Sequence, residues 1–393
     1  MLAPLRRCDR LTPVALTEDQ CLLRDTIRDF CAREIAPHCA AWDEEERFPQ
    51  ELMPRLAELG LMGIRIPEEY GGSALGTVEY ALAVEQIART CGSVALTVAS
   101  HNGLGTGHIL SCGTKAQKAR YLPPAASAQW LAAWALTEPG SGSDSAALST
   151  RARRDGDDWV LSGSKTFITQ GSVCGFCVVL ARTDPDVSAA KGITAFIVDA
   201  GTPGFSVSSH LKKYGCRASD TAELHFDDVR LSDEQRLGEA NAGFIDTMRI
   251  LDRGRISIGA MAIGLGRGAI AYAVGYAKQR KTFGVPIGQH AAVGDQLAQA
   301  QVELDAGARM IYRAAELADD GEPYAMDAAM AKLFASEAGT RACNVAMQVL
   351  GGHGYMREHP VERYLRDVKL CEIGEGTSEI QRLVIAKHLL ATG

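Results

Sequence analysis

The chain has 393 residues, too many for one hydrophobic core, so two or three domains are expected. A net charge of −7 and a sequence pI near 5.8 exclude a broadly basic surface, and with it nucleic acid as the main partner. The 11 cysteines follow no framework spacing in a chain far longer than a disulfide-stapled secreted domain, which points to a reducing, cytoplasmic setting.

Residues 1–20 hold three arginines but no apolar run long enough for a signal peptide. From Thr17 to about Trp130 the apolar residues recur at helical spacing, as in Leu22, Leu23, Ile27 and Phe30, and Thr17-Glu18-Asp19-Gln20 offers a capping box at the start. From Trp130 to about Leu237 the texture changes to short β-branched and aromatic runs, among them 159–161, 165–169, 178–180, 194–198 and 222–226, parted by Gly, Asp and Pro turns. Helical spacing returns at Ala242 and breaks at 283–286, 321–323 and 351–354. The predicted fold class is mixed and mainly α: an N-terminal helical domain (1–130), a middle antiparallel β domain (131–240) and a C-terminal four-helix bundle (241–393). The run 256–277 is apolar enough to raise a membrane span, but Arg267 at its centre and its many Gly and Ala residues favour a helix buried in a bundle.

Several segments carry possible chemistry, each with a plain structural reading beside it. Gly374-Glu375-Gly376 sets a carboxylate between two glycines just before the last helix, which suits a general base and equally suits a solvated turn. Leu136-Thr137-Glu138-Pro139-Gly140-Ser141-Gly142-Ser143-Asp144 presents backbone N–H groups and hydroxyls, either to a polar ligand or as a surface turn. Phe167-Ile168-Thr169 puts an aromatic ring beside a hydroxyl. Arg280 to Gly284 ends one long helix and Gln348 to Gly354 another, where basic side chains and glycines are ordinary helix-stop features. Gly264-x-Gly266-x-x-Ala269 matches a loose dinucleotide pattern inside a helix, the wrong context for one. Cys174-x-x-Cys177 has no second pair, and no metal site is expected.

In this order the segments resemble the acyl-CoA dehydrogenases, flavoenzymes that desaturate acyl thioesters, over nearly the whole chain. The resemblance is nearest to short-chain, butyryl-CoA-type members. It implies FAD held by Trp134, Leu136, Thr137, Gly142, Ser143, Phe167, Ile168 and Thr169, and completed by Arg280, Thr282, Phe283, Gln348, Gly351, Gly352, Thr377 and Glu379. Arg280 and the Gln348 turn would reach the ADP half bound by a neighbouring subunit, so a homo-oligomer, usually a tetramer, is implied, with an electron-transfer flavoprotein as acceptor. Glu375 matches the base that takes the α-proton of the acyl-CoA substrate while the β-hydride goes to the flavin. Ser143, Asp252, Arg255, Gly374 and Gly376 match the substrate site. Some family branches carry the base at the position of Gly254 instead.

Four departures from the family pattern are visible: Phe167 for tryptophan, Gln170 for asparagine, Ala291 for glutamine, and Gly374 for a tyrosine beside the base. The last, together with the small residues Ser100, Asn102, Gly103 and Gly105, implies a widened acyl pocket. A glutaryl-CoA dehydrogenase is the weaker alternative, because no arginine lies between Arg89 and Arg120 to hold a distal carboxylate. A catalytically silent flavin or acyl-CoA binder is another, and the presence of Glu375 argues against it.

Overall fold

Helices fill the first third of the chain, strands the middle and helices the rest, in a computed structural model that describes residues 16–391. Residues 1–15, on which most of the signal-peptide reading falls, lie outside the described residues. The first helix, Glu18–Phe30, starts with the capping box expected from sequence: Thr17 Oγ1 accepts from the Gln20 N–H at 3.2 Å, and the Gln20 side chain accepts from the Thr17 N–H at 3.0 Å. Helices Thr77–Ala88 and Gly92–Ser100 are buried almost throughout. The second continues through a π-helical turn, His101–Gly105, where Thr106 Oγ1 donates to the His101 carbonyl at 2.7 Å.

The strands β1 (Leu131–Ala135), β2 (Arg151–Asp155), β3 (Asp158–Thr169), β4 (Cys174–Arg182), β5 (Ile193–Asp199), β6 (Phe205–His210), β7 (Thr221–Ser232) and β8 (Arg236–Leu237) form one sheet in the order β6-β7-β3-β2-β4-β5-β8, with β1 on β4. Pairing is mostly antiparallel as expected, but β1 runs parallel to β4, and β2 meets β4 in a parallel pair at Arg151 and Arg182. The two runs 159–161 and 165–169 prove to be one twelve-residue strand, β3, bent at Gly163, where φ is +148° and a Cβ would stand 2.7 Å from Thr150 Cα. β4 is buried on both faces: Phe176, Val178 and Leu180 pack with Tyr121 and Ile250, while Val179 and Ala181 pack with Trp159 and Phe196.

Three long helices, Gly243–Gln279, Ala291–Asp319 and Ala325–Leu350, build the C-terminal bundle, with the shorter Val361–Val368 and Ser378–Leu390 closing it. Gly243–Gln279 is long and apolar enough to cross a membrane, but most of its apolar window is buried inside the protein. Its glycines permit close packing: a Cβ on Gly264 would meet the Glu85 carbonyl at 2.3 Å, and one on Gly266 would meet Leu304 Cδ2 at 2.6 Å, which accounts for the dinucleotide-like pattern. Arg267 survives inside this helix because it pairs with Glu85 and, at 2.9 Å, with Asp305, while Tyr312 donates to Glu85 at 2.9 Å. Arg366 grips Asp43 at 2.6 and 3.1 Å, and Asp367 accepts from the Cys216 N–H at 2.6 Å. The Arg366-Asp367 pair therefore ties the bundle to both preceding regions.

Candidate active site

The turn before the last helix bends Glu375 into the left-handed region, with φ of +53°, and Gly376 follows at +90°. Three groups hold it there. Gln381 Nε2 donates to the carbonyls of Glu375, at 3.3 Å, and Gly376, at 2.8 Å; Lys332 Nζ donates to the Gly376 carbonyl at 2.7 Å; and Thr377 caps the helix Ser378–Leu390 by accepting from the Ile380 N–H. A left-handed non-glycine residue costs free energy, so its retention here marks a position fixed by its surroundings.

The turn points the Glu375 carboxyl at Gly254 on the helix Gly243–Gln279, where a Cβ would stand 1.6 Å from Oε2. That oxygen is sealed from solvent and has no hydrogen-bond partner. Burial pushes the Glu375 carboxyl up to about 7, against the fields of Lys332 and Arg255, which favour its charged form. Lys332 is wholly buried on the helix Ala325–Leu350, and burial pulls its ammonium down to about 8. Arg255 is buried and paired with Asp252, whose own carboxyl is raised by burial although Arg255 opposes it.

Of the expected substrate residues, Gly374, Gly376 and Arg255 thus gather at Glu375, and Asp252 joins through Arg255. Beyond Gly254, Ser257 Oγ donates to the Gly254 carbonyl, and the fully buried Tyr80 donates to the Ala99 carbonyl at 2.7 Å. The Tyr80 hydroxyl lies where a side chain on Gly103 would go, 2.7 Å from the Cβ position. Asn102 is occupied in bonds to the Leu61 and Val98 carbonyls, and Gly105 packs on Ala132. The small residues expected to widen a pocket are therefore partly taken up by packing.

A second group forms at the β-sheet. Glu138 and Lys165 make a buried ion pair at 2.8 Å, and Lys165 also donates to the Leu136 carbonyl. Burial works against the Glu138 charge, but Lys165, with bonds from Thr150 and Ser149, holds its carboxyl at about 2. With the Thr166 N–H donating to the Thr137 carbonyl at 2.9 Å, these contacts fasten the 136–144 loop to β3. Phe167, at φ of +59°, then projects its ring 68 % exposed, and Ser143 and Gly142 are exposed beside a fixed scaffold, whereas Ile168, Trp134 and Leu136 are buried. Trp134 Nε1 donates to His108 Nδ1 at 3.1 Å. An exposed ring on rigid backbone next to free hydroxyls and N–H groups suits a planar, polar-edged cofactor.

A third group lies elsewhere. Arg280, Phe283 (97 % exposed), Gln348, Gly351 and Gly352 stand at the end of the bundle where Tyr276 and His353 meet, their rings 6.0 Å apart, with the half-buried Thr282 bonded to His290. Twenty-six residues of helix separate Gly254 from Arg280, about 39 Å at 1.5 Å per residue. Within one chain this set is remote from Glu375, Thr377 and the exposed Glu379.

Sequence reasoning missed Lys332, Tyr80 and the Glu138–Lys165 pair. Lys332 had a visible signal: it shares the buried helical stripe of Ala328, Ala335 and Gly339, where a charge needs a reason. Cys174 and Cys177 are buried, with burial pushing Cys174 up to about 12 and Cys177 well above the ordinary thiol range, so neither is a reactive thiol. His108, Cys112 and Asp246 converge at metal-ligand spacing. Since the Trp134 N–H can only donate, it takes the His108 Nδ1 lone pair and leaves the proton on Nε2, so the neutral ring has no nitrogen free for a metal.

The chain matches family models for the acyl-CoA dehydrogenase N-terminal domain over residues 17–129, the middle domain over 133–229 and the C-terminal domain over 241–390. It is 45% identical over 377 residues to the mitochondrial short-chain specific acyl-CoA dehydrogenase of Bos taurus, covering 96% of this chain and 91% of the relative. The solved butyryl-CoA dehydrogenase of Megasphaera elsdenii superposes with a TM-score of 0.94 at 38% identity, covering 96% of this chain and 100% of that one. A chain from a structure described as the electron transferring flavoprotein of Acidaminococcus fermentans gives the same TM-score and identity, covering 96% and 99%. The protein belongs to the acyl-CoA dehydrogenase family of oxidoreductases.

Proposed function

We propose that this chain is an FAD-dependent dehydrogenase that converts a short- to medium-chain or branched short-chain acyl-CoA to its trans-2-enoyl-CoA. The observation that carries the reading is the Glu375 carboxyl: sealed from solvent and unpartnered at Oε2, and raised by burial to about 7. A base of that proton affinity is matched to a weakly acidic α-carbon near neutral pH, and a silent binding protein has no use for it.

Glu375 takes the α-proton, and its backbone N–H, fixed by the left-handed turn, donates to the thioester oxygen as enolate-like charge develops. Lys332 and Gln381 keep that turn in place. Trp134, Leu136, Thr137, Gly142, Ser143 and Phe167 to Thr169 form the near wall for FAD, which supplies the hydride acceptor when bound. By the family resemblance Arg280, Thr282, Phe283, Gln348, Gly351 and Gly352 would hold the ADP half in a neighbouring subunit, a role compatible with the roughly 39 Å of helix that parts them from Glu375. The same resemblance implies a homo-oligomer, usually a tetramer. The acceptor is an electron-transfer flavoprotein, a reading supported by the similarity to the Acidaminococcus fermentans structure.

Reduction assays with a panel of acyl-CoA thioesters and a ferrocenium acceptor test the reading. Turnover with butyryl- to octanoyl-CoA is expected; a flavin-loaded protein inert toward every thioester would overturn it.

A further inference from the structure

The helix Gly243–Gln279 presents a second face. Arg253 is one residue from Gly254, so it leaves the helix about 100° away from the side that meets Glu375. It lines a cavity of about 280 Å³ with Ser111, Arg249 and Tyr324, all hydrogen-bond donors, while the one carboxylate there, Asp246, is engaged by Arg249 at 3.4 Å. We propose that this cavity is an oxyanion site, in which Arg253 and Tyr324 hold a phosphate or carboxylate group with Arg65 as the second cation.

Two guanidiniums near this cavity make no ion pair among the described residues. Arg253 Nε and Arg65 Nη1 are shut off from solvent with no acceptor, and neither arginine makes a hydrogen bond or ion pair to any other described residue. Arg65 and Arg253 are half-buried, whereas arginines buried outright have carboxylate partners: Arg255 rests on Asp252, Arg267 on Glu85 and Arg366 on Asp43. Burial and then the Arg253 charge pull the Arg65 guanidinium down to about 10, so the two guanidiniums repel one another. The carboxylate whose field does reach Arg65, Asp319, already accepts the Thr77 and Val78 N–H groups at 2.7 and 3.0 Å.

The charges of Arg253 and Arg65 both act on the Tyr324 hydroxyl, as does the Asp252 carboxylate, which is already paired with Arg255. Like charges with sealed, unpaired nitrogens are costly. A bound oxyanion turns the repulsion into charge-assisted hydrogen bonds, and the planar guanidinium fork is matched to carboxylate and phosphate oxygens.

The test is thermal denaturation of the flavin-loaded protein in inorganic phosphate against chloride at matched ionic strength. Phosphate is expected to raise Tm saturably. Arg253→Met should weaken half-saturation at least about tenfold, the loss typical of a charge-assisted bond. Arg65→Met should respond to phosphate less and, in chloride, melt above the wild type, because it removes an unpaired charge. Should either variant fail to fold, the wild-type titration and Tyr324→Phe decide the matter. No phosphate-specific rise in the wild type, or unchanged half-saturation in the variants, overturns the proposal. Competition identifies the source of the group: phosphate that displaces butyryl-CoA marks the thioester's own phosphate, and independent binding marks a free oxyanion.

Discussion

A Cβ on Gly254 would stand 1.6 Å from Oε2 of Glu375, so the carboxylate of one residue occupies the space that any side chain on the other requires. The base position and the bare helix position are a single steric unit, formed by residues 121 apart in sequence. Gly254→Ala should leave the fold intact, because the obstructed atom is the end of a flexible side chain. It should also swing the carboxyl off its line and slow substrate bleaching of the flavin at least about tenfold. An unchanged rate would show that the carboxyl has room to spare.

Burial of Glu375 has a stability cost that pH exposes. Its carboxyl lies near 4.5 unfolded and about 7 folded, so between these values the native state holds more protons than the unfolded one. The stabilising share is complete below 4.5 and is lost as pH rises through 7. Glu375→Gln should therefore match the wild type near pH 5 and exceed it near pH 8, by at most about 3 kcal/mol at 1.36 kcal/mol per unit. Denaturant melts of the two proteins at both pH values check this, and parallel stabilities would contradict it.

Lys332 joins the base turn to the bundle. Lys332→Met removes the bond to the Gly376 carbonyl and the first of the positive fields that favour the charged carboxylate, so the acidic limb of the pH–rate profile should move to higher pH. Lys332→Arg, which keeps the charge, should leave that limb in place while lowering the rate through altered geometry. A profile that does not move in Lys332→Met would reduce Lys332 to a packing residue.

The three-part order of helices, strands and helices was legible from hydrophobic periodicity, and so was the capping box at Thr17. Strands β1, β2, β6 and β8 were not. β1 reads Leu-Ala-Ala-Trp-Ala and lacks β-branched residues, while β2 reads Arg-Ala-Arg-Arg-Asp and offers one apolar side chain to the sheet. Tertiary pairing overrides both local signals. At the site, Glu375 and its flanking glycines were visible as a motif, but the contact with Gly254 is set by helix packing. Sequence also showed Gly103 as open space without showing that Tyr80, from another helix, reaches into it.

Gly374 does have room beside it: the nearest atoms a Cβ there would meet are the Leu370 carbonyl at 3.4 Å and Leu370 side-chain carbons at 3.7 and 3.9 Å. Gly374→Tyr should accordingly fold and narrow the acyl optimum toward butyryl-CoA. Each methylene excluded from the pocket is worth about 0.8 kcal/mol, or roughly fourfold. The kcat/KM series from butyryl- through isobutyryl-, hexanoyl- and octanoyl- to palmitoyl-CoA in both proteins measures it. The same profile in the variant would remove position 374 from the pocket.

The most direct measurement is anaerobic stopped-flow bleaching of the flavin by butyryl-, hexanoyl- and octanoyl-CoA in wild type and Glu375→Gln, with thioester affinity determined in parallel. Glutamine keeps the shape and cannot accept the proton, so bleaching should slow by about 10³-fold or more, a loss in the range of general-base catalysis, while the thioester still binds. Bleaching at the wild-type rate in Glu375→Gln would contradict the account and move the base to another residue.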